Sequence, residues 1–145
     1  MSITLIFFLL ILVSGMTNSA FGSETGTIVV KISGIESDKG KIIANLHNQE
    51  DAFPMESEKS LMNGESRIEN GNAEIIFQKV PYGKYAIAVH HDENSNGEVD
   101  TNFIGIPSEG LAASNNAGGT FGPPSFDDAS FSLNENKIVL KINMD

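Results

Sequence analysis

The densest run of chemistry-bearing side chains is His90-His91-Asp92-Glu93-Asn94-Ser95-Asn96-Gly97-Glu98-Val99-Asp100. Counted from Asp92, it puts oxygen-bearing side chains at positions one, three and five, glycine at six and an acid at nine. That is the opening of a calcium loop. Ca²⁺ takes about six to eight hard oxygens at ~2.3–2.6 Å, so short Asp and Asn side chains must converge from one tight turn. The candidate metal ligands are Asp92, Asn94, Asn96, Glu98 through its carbonyl, and Asp100, with Asn102, Glu109 or water completing the shell. An EF-hand would carry Glu at position twelve, but Phe103 stands there, and no helical pattern flanks the loop. The expectation is therefore the same loop chemistry on a β scaffold, with weak affinity of ~10⁻⁴–10⁻³ M. The same residues also spell a polar hairpin tip, because Asn-Gly favours a tight turn and Asp and Asn form Asx turns without metal.

Other chemistry is thinner. His47 and His91 each end an expected strand, and imidazole with carboxylate suits zinc, copper or iron. Neighbouring strand residues face opposite ways, so His90 and His91 do not share one site. A hydrogen-bonding role at a sheet edge is the plainer reading of these histidines. No nucleophile elbow is present, and no serine is placed against His and Asp. The pairs Glu50-Asp51 and Asp127-Asp128 read as solvated loop charge. No catalytic residue is assigned.

The elements that must position this loop read as strands. Residues 27–32 form a β-branched run, and 41–47 alternate with Ile42, Ala44 and Leu46 on one face. Ser37-Asp38-Lys39-Gly40 between them is turn chemistry, so the two are expected to pair as a hairpin. Residues 73–77 and 85–91 give a third and a fourth strand, the latter with Tyr85, Ile87, Val89 and His91 on one face. Residues 129–133 and 137–144 are expected to form a final hairpin around Asn134-Glu135-Asn136. Residues 55–62 are the one short helix-like stretch. Pro81-x-Gly83-x-Tyr85 presets a turn, with the aromatic side chain packing inward. The expected fold is all-β, an antiparallel sandwich of the prealbumin or immunoglobulin kind.

The whole is one domain. The chain has 145 residues and no cysteine, which excludes disulfide scaffolds and thiolate chemistry. Nineteen acids against nine bases give a net charge of −10, a poor match to nucleic acid or to anionic lipid. Residues 3–13 are apolar and about half the length needed to span a bilayer. They fit a secretory signal, with cleavage expected after Gly22 and, as alternatives, after Ala20 or not at all. The expected organisation is a signal peptide over 1–22 and a sandwich over 23–145, delivered to the periplasm or outside the cell, with no stable membrane insertion after cleavage.

Residues 101–128 form a connection far longer than the usual ~4–6 residues. Phe103, Ile104, Ile106, Leu111, Phe121 and Phe126 are spaced through it and are expected to pin it onto the sandwich as an ordered cap. Here the pattern becomes specific. His91-Asp92-x-Asn94-x-Asn96-Gly97-x-x-Asp100-Thr101-Asn102-Phe103-x-Gly105-Ile106-Pro107-x-Glu109-Gly110, Ser114-Asn115-Asn116 and Phe121-Gly122-Pro123-Pro124-Ser125-Phe126 resemble a bacterial secreted family known as a domain of unknown function (number 2141). The Pro81-x-Gly83-x-Tyr85 turn belongs to the same pattern. The resemblance implies a Gram-negative envelope or secreted protein with a prealbumin-like sandwich, and it implies no activity. Leu111-Ala112-Ala113 departs from it, since the family more often has an aromatic residue before Ser114.

The function expected from these features is a non-catalytic binding module with calcium in the 92–102 loop and an envelope protein or glycan as ligand. The alternatives are an envelope hydrolase using His91, Asp92 and Glu109, or a structural or adhesive surface protein.

Overall fold

The computed structural model describes residues 24–119 and 122–145. The expected signal segment, its cleavage site and Phe121 lie outside the described residues. Among the described residues, eight strands form two sheets: β1 (Thr25–Ser33), β2 (Lys41–His47), β3 (Met62–Ser66), β4 (Ala73–Pro81), β5 (Gly83–Asp92), β6 (Leu111–Ala113), β7 (Phe131–Leu133) and β8 (Lys137–Asn143). One short helix, α1 (Phe126–Ala129), precedes β7. The first sheet has the order β4-β1-β8, and the second has β3-β2-β5-β6 with β7 also paired to β5. This is the expected all-β, sandwich-like fold. No helix among the described residues is long and apolar enough to cross a membrane.

Alternating apolar residues build the layers. In β4, Ile75, Phe77 and Val80 are buried while Glu74, Ile76 and Gln78 are exposed. Ile28, Val30 and Ile32 of β1 meet Ile42, Leu46 and Ile87 across the core. Such interdigitating faces lie ~10 Å apart. β5 is buried on both faces, which explains its unbroken apolar centre. Its second face, with Ala86 and Ala88, is covered by Phe53, Ala113, Phe126 and Ala129. The Pro81-x-Gly83-x-Tyr85 turn packs its aromatic ring inward, and the Tyr85 hydroxyl donates to the Pro81 carbonyl at 2.7 Å. Burial raises the pKa of that phenol.

Several expected pairings are not formed. β1 and β2 are not a hairpin; β1 pairs with β4 and β8, and β2 with β3 and β5. Both strands carry an apolar face, and each buries it against the opposite sheet rather than beside the other. The intervening Asp38 accepts from the Asn70 and Gly71 amides at 3.0 and 2.8 Å, tying the crossing segment to the β3–β4 turn. β7 and β8 are not a hairpin either, because β7 joins β5 while β8 runs parallel to β1. The helix-like stretch at 55–62 holds only a single 3-10 turn, Ser57–Lys59, and the chain is already extended from Met62.

The described residues of the long connection form hydrogen-bonded turns, but most of them do not cap the sandwich. Phe103 is 99% exposed, Ile104 64% and Ile106 54%, and Leu111 is also exposed. Phe126 alone among the described members packs inward, edge-on to Phe53 at 5.9 Å between ring centroids. Ser114 holds this half in place. Its hydroxyl accepts from the Ile87 amide at 2.9 Å and donates to the Ala129 carbonyl at 2.5 Å, filling the gap between β6 and β7 along β5.

Candidate functional site

β5 delivers His90, His91 and Asp92 to the rim of the second sheet, opposite Ile43, Ile42 and Lys41 of β2. Gly40 is required here, because a Cβ at that position would collide with the Asp92 carbonyl. Asp92 is fully buried. One carboxylate oxygen accepts from the Asn96 amide at 3.1 Å and the other from the Gly97 amide at 2.9 Å. Asn94 Oδ1 accepts from the same Asn96 amide at 3.0 Å, and Asn96 Oδ1 from the Glu98 amide at 2.9 Å. Asn94 and Asn96 thus form Asx turns, each closing on the backbone two residues ahead, nested within the longer Asp92 contacts four and five residues ahead. Gly97, at φ +80°, makes the reversal without steric cost.

Asp100 closes the ring. Its carboxylate accepts from the side-chain amide of Asn96 at 3.1 Å and from that of Asn94. The structure thus brings together Asp92, Asn94, Asn96 and Asp100. Glu98 contributes its amide to the turn, and its side chain is exposed. Asn102 serves a different turn, its oxygen accepting from the Ile104 and Ile106 amides at 3.0 Å each. Among the described residues no three His, Asp or Glu side chains converge to hold a metal. A cation here would depend on amide oxygens as well as carboxylates.

The residue that sequence reasoning underrated is Glu109. Its side chain is 6% exposed, and one oxygen accepts from the Glu93 amide at 3.0 Å. The other lies 3.1 Å from the Asp100 amide and 2.6 Å from His90 Nε2. Desolvation pushes its pKa upward, but the bonds from His90, Asp100 and Glu93 outweigh that and hold it below the usual carboxylate range. His90 is therefore the partner of Glu109, and His91 is not. His91 Nε2 donates to the Lys39 carbonyl at 2.8 Å. His91, Asp92 and Glu109 are not assembled as an acid–base set: each is committed to a different backbone group.

His47 lies at the far end of β2, opposite Ala86, whereas His91 is opposite Ile42, so the two do not share a site. His47 is fully buried, with neither ring nitrogen bonded among the described residues, and it packs edge-on to Phe53 at 5.5 Å. Burial lowers its pKa. No local pattern announces this burial, because a strand-end histidine usually reaches water.

The architecture defines a two-sheet β domain carrying a self-bonded acidic loop at one rim, clamped by a buried glutamate. The chain belongs to the family described as an uncharacterized protein conserved in bacteria (DUF2141), whose model matches residues 30–140. The match runs from β1 into β8 and takes in the whole loop. No curated protein and no solved structure matches the chain.

Proposed function

We propose that the chain is an exported, non-catalytic binding module whose 92–102 loop is completed by calcium. The observation that carries this is the use of lone pairs. Among Asp92, Asn94 and Asn96, each side-chain oxygen accepts one backbone amide. An sp² oxygen has two lone pairs, so each retains one for a cation. Asp100, whose carboxylate now accepts from the Asn94 and Asn96 side-chain amides, would supply the second charge by exchanging those bonds for the cation. The donors are hard oxygens, the set that suits Ca²⁺ over transition metals. The apolar run at 3–13 supports export. The hydrolase alternative draws no support from an arrangement in which His91, Asp92 and Glu109 point to separate backbone partners.

The test uses the chain recovered from the periplasm of an expression host. Its mature N-terminus should be Ser23; a retained Met1 on membrane-bound material refutes export with cleavage. Thermal unfolding is then followed in chelator and in millimolar calcium. A ligand at a hundredfold excess over Kd adds about 2.7 kcal/mol, which raises the Tm of a chain this size by several degrees. Asp100→Asn should abolish the shift, and Mg²⁺ should substitute poorly because it demands a smaller, stricter shell. A Tm that is flat from chelator to calcium refutes the cation reading.

A further inference from the structure

The segment between Asp100 and Glu109 is built to hold apolar side chains in water. Thr101 bridges Pro107, the Asn102 amide donates to the Ile106 carbonyl at 2.8 Å, and the Gly105 amide donates to the Asn102 carbonyl at 2.9 Å. With Asn102 Oδ1 accepting from Ile104 and Ile106, the turn is held by bonds within itself. Exposure of Phe103, Ile104 and Ile106 is therefore a property of an ordered tip. Fixed apolar groups in water are unfavourable, and contiguous ones mark a docking surface.

Geometry selects the partner. The tip presents three large side chains, roughly a few hundred Å² of apolar surface. A stable protein interface needs ~800 Å² per partner. The shoulders of the tip do not extend it: Glu93 and Glu98 are exposed, and Asp100 is half-buried. Three exposed apolar side chains on one short turn, next to an acidic loop, are too small a patch for a stable protein interface, whereas a bilayer accepts them without a preformed pocket. Charge adds a condition. At −10 the chain is repelled by anionic headgroups unless a divalent cation neutralises the adjoining loop.

We propose that the 103–106 tip docks on a lipid bilayer, burying Phe103, Ile104 and Ile106 at the headgroup–acyl boundary, with the 92–100 loop against the headgroups. The calcium dependence of docking to anionic lipid rests on the cation reading above; docking by the tip does not. The tip and the loop meet at one residue. The Asp100 carbonyl accepts from the Ser108 amide and hydroxyl, at 2.9 and 3.1 Å, so the residue that would supply a charged ligand also holds the base of the tip.

The test is cosedimentation with vesicles of phosphatidylcholine, and with vesicles of phosphatidylethanolamine and phosphatidylglycerol, each in chelator and in millimolar calcium. The wild-type chain should bind phosphatidylcholine in both conditions and the anionic vesicles only with calcium. Phe103→Ser should lower the bound-to-free ratio by about tenfold or more, the expected consequence of withdrawing one large apolar side chain. Val139→Ser removes a half-exposed apolar residue on β8, away from the tip, and should leave binding unchanged. Absence of wild-type binding to any vesicle overturns the proposal, as does equal loss in the two variants. Self-association that Phe103→Ser abolishes would make the tip a contact between copies and also overturns it. A calcium-induced Tm shift without vesicle binding refutes the docking and leaves the cation reading intact. Tip-dependent vesicle binding with a flat Tm refutes the cation and leaves the docking.

Discussion

Replacing Glu109 by Gln isolates the clamp from the loop it closes. The carboxylate accepts three bonds, from His90 and from the Glu93 and Asp100 amides. Gln keeps one acceptor and turns the other into an NH₂ that must face a donor. Weakening the hydrogen bonds that a buried carboxylate accepts typically costs about 1.5–3 kcal/mol. Glu109 accepts three such bonds, but it lies in a rim loop where nearby water screens its charge, and about 2–3 kcal/mol is the expected cost. That corresponds to a fall in Tm of about 6–12 °C. The assay is thermal and urea unfolding in chelator, where calcium plays no part. Because the folded pKa of Glu109 is depressed, its contribution is complete above the unfolded value and disappears as pH falls through the folded one. The gap between wild type and Glu109→Gln should thus be constant near neutrality and should close in acid. A neutral-pH cost below about 0.5 kcal/mol, or a gap that widens on acidification, refutes the clamp.

Two further substitutions discriminate other parts of the structure. Phe126→Ala should cost about 3–4 kcal/mol, since it removes a buried ring stacked edge-on to Phe53, whereas Phe103→Ala should change stability by less than about 0.5 kcal/mol; equal urea midpoints for the two would contradict the assignment of one as packed and the other as free. His47, whose pKa is lowered by burial, stabilises the fold as a neutral ring, and that contribution declines as pH drops below the ordinary imidazole value of about 6.5. His47→Phe should flatten the stability profile between neutral pH and pH ~5, and an unchanged slope would show that the ring is solvated.

Local encoding separates what the sequence revealed from what it concealed. The faces of β2, β4 and β5 were legible because a period of two is written into each strand. Their partners were not: Ser37-Asp38-Lys39-Gly40 has hairpin chemistry, yet Asp38 spends its carboxylate on Asn70 and Gly71, more than thirty residues away. The same division runs through the site. The Asx turns of 92–98 are contacts over two to five residues, and spacing alone exposes them. The His90–Glu109 contact spans 19 residues and joins a strand to an irregular loop, so no periodicity announces it. Phe103, Ile104 and Ile106 misled for a different reason. Composition records that a side chain is apolar, but the Asn102-bonded turn decides that it points to water.

That turn and the acidic loop cannot move independently. The Asp100 amide is bound by Glu109 and its carbonyl by Ser108, while its carboxylate takes the amides of Asn94 and Asn96. Glu109 holds the start of the loop through Glu93 and the sheet through His90. One acidic residue thus joins loop to tip, and a second joins both to β5. Since the Glu93, Asn96, Gly97, Glu98 and Asp100 amides are already bonded, a cation arriving there would not have to order the chain, and its affinity would follow charge count rather than folding. With only Asp92 and Asp100 supplying charge, weak binding is the expected outcome, and calcium would neutralise a preformed surface instead of building one. On this reasoning Glu109→Gln should reduce docking by the tip even on phosphatidylcholine, where headgroup charge is absent, because the tip loses its anchorage to β5. Retention of full phosphatidylcholine binding by a folded Glu109→Gln variant would show that tip and clamp are mechanically separate.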